Sequence, residues 1–282
     1  MLSPLGDSPI VGGRISIHDM RKVYDPDGAR VVAVDHCSLE IGAGELCVVV
    51  GPSGCGKTTL LNAVAGFHSI TSGTIELDGR AICTATHTKE PSAERIVVFQ
   101  NGALFPWYTV LENITYGPEV QGRMSRKQAA APARQLLAEL GLAEIADRYP
   151  GEISSGMKRR VEIARALIND PKVLLLDEPF RAMDSLTKGV VQEFLLRALD
   201  KVRKTVLFIT HDLEEALFLG DRVVIMSTRP ACVKTAITVD FPRPRTYRVR
   251  SSARYLELKQ QVFDAVREEA RKAFDAGERE MA

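Results

Sequence analysis

The sequence has no apolar run long enough to cross a membrane. Its longest apolar stretches, LCVVV at 46–50 and VLLL at 173–176, fall far short of the roughly 18 residues a spanning helix needs. They read instead as buried strands. Charge of one sign is missing too. The 37 Lys and Arg against 36 Asp and Glu leave a formal net charge of +1. That balance argues against bulk electrostatic binding to nucleic acid, though not against a local basic patch. Cysteine is sparse and unpatterned: Cys37, Cys47, Cys55, Cys83 and Cys232 form no CxxC pair. An odd, scattered set excludes a disulfide framework and a cysteine zinc site, and fits a reducing compartment. The opening MLSPLGDSPIVGG has neither a basic n-region nor an apolar h-region, so no signal peptide is expected. Tryptophan occurs once, as Trp107, and no repeat or low-complexity tract is evident.

Present in quantity is what a core requires: 45% hydrophobic and 26% charged residues, the mix of a soluble globular chain. At 282 residues the length suits one large unit carrying an inserted lobe, given about 150 residues per ordinary domain. The first 45 residues alternate like hairpin strands, with a turn at Asp25-Pro-Asp-Gly28. From there strands alternate with helices, which predicts a mostly parallel sheet covered on both faces. The alternation breaks once, between about 103 and 156, where helix formers dominate and Leu136, Leu137 and Leu140 share a face. Pro132 in that stretch is expected at a helix start or at a kink. The fold class is therefore α/β. The expected organisation is a core with an antiparallel β part at 1–102, a helical lobe at 103–156, the second part of the core at 157–250, and a charged amphipathic helix within 251–282.

Gly51-Pro52-Ser53-Gly54-Cys55-Gly56-Lys57-Thr58 fits GxxxxGK[ST], followed by Thr59, between a buried strand and a helix. Glycines let successive N–H groups turn inward around phosphate oxygens, and the helix N-terminus adds partial positive charge. Lys57 reaches the β- and γ-phosphates, and the Thr58 hydroxyl suits Mg²⁺. At the end of VLLL stand Asp177 and Glu178. Two acids closing a buried strand are costly unless they bind something. Asp177 suits Mg²⁺, usually through water, and Glu178 suits a general base on the attacking water.

In this order the motifs resemble the ATP-binding cassette, the motor subunit of ABC transporters, and the resemblance covers nearly the whole chain. Ile153-Ser154-Ser155-Gly156-Met157 stands where that family has its Leu-Ser-Gly-Gly-Gln signature. Gln100 matches its Q-loop, Ala182-Met183-Asp184 its D-loop, and His211 its switch histidine. Tyr24 matches the aromatic that stacks on adenine. The resemblance implies a P-loop NTPase core, with ATP and Mg²⁺ as cofactors. Gln100 would sense Mg²⁺ and water, and His211 would donate to the γ-phosphate. Ser154, Ser155, Gly156 and Asp184 would meet ATP bound by another cassette. It also implies as partners a second cassette (identical or not), permease subunits in the membrane and a substrate-binding protein, with the chain peripheral on the cytoplasmic face. No nucleic-acid partner is expected.

Three departures stand out: Ser155 for the first signature glycine, Met157 for its glutamine, and Arg159 for a further glutamine. If position 155 needs φ > 0, serine there is a handicap. The Pro106-Trp107 pair after Gln100, the Met157 signature and the late Pro-Arg-Pro-Arg245 segment look like the importers of nitrate, sulfonate, taurine and pyrimidine precursors. Trp107 is either core of the helical lobe or, with residues 105–108, the border of a groove receiving a permease helix. The run Arg243, Arg245, Arg248, Arg250 and Arg254 reads as solvated surface, with anionic lipid as the alternative. The function implied is the ATPase subunit of an importer; an exporter subunit or a soluble cassette ATPase acting on DNA or ribosomes are the alternatives.

Overall fold

A computed structural model describes residues 12–25, 27–181 and 183–275. Two sheets form. The first is four-stranded and antiparallel, in the order β2-β1-β4-β5, built from Ile15–Tyr24 (β1), Val31–Ile41 (β2), Ser72–Leu77 (β4) and Arg80–Thr84 (β5). β4 ends at a turn through Asp78 and Gly79. That turn folds the chain back into β5, which pairs antiparallel with β4.

The second sheet holds Leu46–Val50 (β3), Arg95–Val98 (β6), Val173–Asp177 (β7), Thr205–Ile209 (β8), Arg222–Met226 (β9) and Val233–Thr238 (β10), in the order β10-β9-β3-β8-β7-β6. All its pairs are parallel except the edge pair β10–β9. Strand side chains alternate between faces, and both faces here are buried. Cys47, Val49, Val173 and Leu175 join a core shared with the antiparallel sheet and helix Lys57–Ala65 (α1). Leu46, Val48, Leu174 and Leu176 join the opposite core. There they meet helices Ser155–Leu167 (α4), Ser185–Val202 (α5), Leu213–Leu219 (α6) and Ala253–Asp275 (α7). Burial on both faces explains why β3 and β7 are continuous apolar runs rather than alternating ones. Each such Val or Leu contributes about 1.5–3 kcal/mol.

The helical lobe adds Val110–Val120 (α2) and Arg126–Glu139 (α3), whose apolar faces close on α4 in a third core. Both start with capping boxes, Thr109 with Glu112 and Ser125 with Gln128. Pro132 is the seventh residue of α3, so of the two expected placements, a helix start or a kink, the start is not the one adopted. Packing of Ala129, Ala133 and Leu137 into the third core offsets the lost hydrogen bond.

The arginine run is also corrected in part. Arg245 is 6% exposed. Its guanidinium donates to the carbonyls of Phe218, Gly220 and Val239, and burial pushes its pKa down to about 10. Arg243 bonds Asp200 and Asp221, and Arg250 bonds Glu214. These side chains fasten the chain between β10 and α7 onto the core. They are internal ties rather than a free basic face. No helix among the described residues is long and apolar enough to cross a membrane.

Candidate functional site

Because β8 lies between β3 and β7, with β6 beyond β7, the loops following four parallel strands emerge side by side at one edge. In open α/β sheets this carboxyl edge is where ligands bind. Here it gathers the phosphate loop after β3, His211 after β8, Glu178 after β7 and Gln100 after β6.

The phosphate loop turns on positive-φ glycines, Gly54 at 72° and Gly56 at 116°. A Cβ on Gly56 would meet the Ala33 carbonyl at 2.8 Å, so the position admits only glycine. α1 starts at Lys57 with no acidic residue in its first turn, leaving its N-terminal amides open to an anion. Lys57 is buried and donates to the carbonyls of Gly51 and Pro52 at 2.9 and 2.8 Å. Cys55 is buried under the loop, its Sγ 3.7 Å from Lys57 Nζ. A pocket of about 590 Å³ opens above, lined by Tyr24, Ser53, Gly54, Gly56, Lys57, Thr58, Thr59, Gln100 and Glu178 among others. Tyr24 presents an aromatic wall. Its hydroxyl donates to Thr59 Oγ1 at 3.4 Å, and Lys22 Nζ stands 4.9 Å from its ring centre.

Thr58 Oγ1 donates to Asp177 Oδ1 at 3.4 Å. Burial holds the Asp177 carboxyl above its ordinary pKa, against the lowering effect of Thr58. A buried carboxylate facing a hydroxyl, with the Gln100 amide close by, is an all-oxygen donor set that suits a hard cation. Among the described residues no cluster of three or more His, Cys, Asp or Glu could hold a metal. A cation here must therefore complete its shell with water and nucleotide phosphate, which is how Mg²⁺ binds.

Glu178 is the meeting point. Its Oε2 lies 3.2 Å from His211 Nδ1, receives Gln100 Nε2 at 3.4 Å, and has Arg181 Nη1 at 3.8 Å. Its backbone is left-handed, φ 42°, an arrangement that costs on the order of 1–3 kcal/mol and is characteristic of functional sites. The Glu178 N–H donates to Ile209 O at 3.0 Å, across from the end of β8.

Not every predicted residue reaches this pocket. Ser154, Ser155 and Gly156 open α4, and Asp184 opens α5; none of them lines it. Ser154 caps α4, its hydroxyl accepting from Met157 N–H at 3.3 Å, and Asp184 caps α5 by accepting from Thr187 N–H at 2.9 Å. Ser155 is helical and exposed rather than positive-φ, so the expected handicap is absent from this fold. The position that excludes a side chain is Gly156, where a Cβ would meet Thr187 Cγ2 at 2.5 Å. Ala182 of the D-loop reading lies outside the described residues.

Sequence reasoning missed several neighbours. Arg159, noted only as a departure, is 8% exposed and donates to the carbonyls of Phe99 and Gln100 at 2.7 Å each, and to Glu162 at 2.6 Å. Glu162 accepts the Ala103 N–H. The signature helix is thus fastened to the backbone that carries Gln100. Lys188 braces the His211 loop through Asp212 and Glu215. A buried i,i+3 Arg–Glu pair is the one signal of these that the sequence offered.

Trp107 is 67% exposed, so the core-packing alternative is excluded. It stacks on Phe105, ring centres 5.6 Å apart. Phe105, with Phe99, Tyr116 and Arg165, lines a groove of about 560 Å³ between the β6 edge and the helical lobe.

Comparison with known proteins agrees with this geometry. The family model "ABC transporter" matches residues 34–181. The chain is 43% identical to the bicarbonate transport ATP-binding protein CmpD of Synechocystis sp., over 89% of this chain and 88% of that protein. It is 44% identical to the taurine import ATP-binding protein TauB of Rhizobium johnstonii, over 83% of this chain and 89% of that one. Among solved structures it resembles the dimeric structure of MJ0796, a bacterial ABC transporter cassette, with a TM-score of 0.69 and 29% identity, covering 81% of this chain and all of that one. The chain belongs to the ABC transporter family: it is an ATP-binding cassette, an ATPase that uses ATP and Mg²⁺.

Proposed function

We propose that this cassette drives an importer of a small nutrient, in the group that handles bicarbonate, nitrate, sulfonate or taurine. The observation that carries the reading is a division of the site. The phosphate loop, Glu178 and Gln100 line one pocket and His211 reaches it through the Glu178 carboxylate, while Ser154 and Gly156 stand at another helix start outside it. A second cassette would supply the missing signature residues to each pocket.

Lys57 exchanges its two carbonyl partners for the β- and γ-phosphates. Thr58 and Asp177 would hold Mg²⁺, which when bound would offset phosphate charge. Glu178 orients and deprotonates the attacking water, and His211 and Lys57 stabilise charge developing on the γ-phosphate. Gln100 reports the state of the pocket. Through Arg159 a shift of Gln100 bears on α4, so a change at one nucleotide is felt at the signature segment facing the other.

The groove beside Phe105 receives a helix of the permease, and a substrate-binding protein delivers the nutrient from the far side. Apolar residues exposed beside a groove suit such a contact, and similarity to TauB, an import ATP-binding protein by name, supports the direction. The cassette then works at the cytoplasmic face of the cell membrane, held by protein contact. Isolation from native membranes tests this reading. A permease and a substrate-binding protein should accompany the chain; a ribosome or DNA complex would contradict it.

A further inference from the structure

Arg229 lies between β9 and β10 and has no part in the mechanism above. β9 runs parallel beside β3, so the segment after β9 emerges on the flank of the phosphate loop. There Arg229 Nη2 donates to the Gly54 carbonyl at 2.8 Å, and the side chain lines the nucleotide pocket with Tyr24, Ser53 and Thr59. The pocket's other cations are engaged: Lys57 with two loop carbonyls and Arg181 with the Glu178 carboxylate at 3.8 Å. Arg229 is exposed, and its hydrogen bond goes to a neutral carbonyl. A guanidinium carries five N–H donors in a rigid fork that matches phosphate, which leaves donors available at the wall of a pocket built for a polyphosphate.

The segment is fastened from behind by the C-terminal helix. Thr228 N–H donates to Glu269 Oε2 at 3.0 Å. Glu269, on α7, is 2% exposed. Its other oxygen faces Lys272 at 2.8 Å and Lys234 at 3.0 Å. A carboxylate so deeply buried needs such partners. Its hydrogen bond to the segment between β9 and β10 falls on Thr228, the residue beside Arg229.

We propose that Arg229 is a further nucleotide-binding residue whose guanidinium engages the phosphate chain, and that α7 fixes it in place through Glu269. This rests on the pocket being the nucleotide site. It gives the C-terminal helix a role in affinity that none of the sequence motifs assigns.

The test is nucleotide binding by the full chain, with adenosine measured by competition. Arg229→Ala should weaken ATP and ADP about tenfold, as for a charge-assisted hydrogen bond, and leave adenosine unchanged; Arg229→Lys should recover part of the loss. Glu269→Ala should weaken ATP, yet add nothing in the Arg229→Ala background, because the two act as one unit. Thermal melting without nucleotide separates misfolding from lost binding. ATP affinity within about twofold of wild type in Arg229→Ala, or an equal loss for adenosine, would overturn the role of Arg229. Additive losses would overturn the link to Glu269. If Lys57→Ala also left ATP binding unchanged, the nucleotide pocket itself would be misassigned, a separate failure.

Discussion

Nδ1 of His211 stands 3.2 Å from Oε2 of Glu178. The two residues follow neighbouring parallel strands, β8 and β7, so the pairing is a consequence of sheet order. The same carboxylate oxygen receives Gln100 from β6's loop. A group so placed, at the carboxyl edge beside the phosphate loop, is where a general base belongs. Glu178→Gln keeps size and hydrogen bonding but cannot take a proton. Turnover should fall about 10²–10⁴-fold while ATP affinity stays close to wild type, as read by phosphate release alongside nucleotide binding.

Lys57→Ala removes the cation that bridges the Gly51 and Pro52 carbonyls. ATP affinity should drop about tenfold or more. Melting without nucleotide should also fall modestly, since the two carbonyls lose their donor. Affinity equal to wild type would remove Lys57 from the phosphate site.

Asp177 gives a pH dependence whose sign is fixed by burial. Its carboxyl is raised above the ordinary value, so on acidification it takes up a proton earlier than an exposed aspartate. A cation favours the ionised form, so binding Mg²⁺ with ATP should release protons wherever the free carboxyl is partly protonated. Affinity should rise with pH through the raised value and then level off. Calorimetry in buffers of different ionisation enthalpy reads the proton count, and Asp177→Asn should lower it below wild type, leaving only the share released by the nucleotide's own phosphates.

Ser155 and Gly156 should behave oppositely. Ser155 is exposed at the start of α4; Ser155→Gly should leave turnover nearly unchanged and cost at most about 1 kcal/mol of stability. Gly156→Ala drives a methyl into the Thr187 side chain, so Thr187 must rotate away or α4 and α5 must part. Turnover should fall sharply, with a smaller loss of nucleotide affinity.

Much of this was legible in the sequence because the chemistry is written in short local patterns. Gly51–Thr58 and Asp177-Glu178 each follow a buried strand whose apolar run is visible in one dimension, and His211 likewise follows β8. What escaped depends on long-range packing. The arginines around 243–250 look like a solvated run, yet their partners are carbonyls and carboxylates supplied by α5, α6 and the loops around them. Arg159 looked like a defect in a motif; only the fold brings the Gln100 carbonyl to it. Pro132 broke a local rule because packing of α3 overrides propensity. Arg229 belongs to no motif, and only the adjacency of β9 and β3 brings it to the phosphate loop.

In the proposed dimer one pocket is half a site, completed by the signature segment of a second cassette. Light scattering on the Glu178→Gln chain with Mg²⁺ and ATP tests it most directly. The mass should double on adding nucleotide and return to that of a single chain when Lys57→Ala is combined with it. A mass that stays at one chain in saturating ATP would contradict a site shared between two copies.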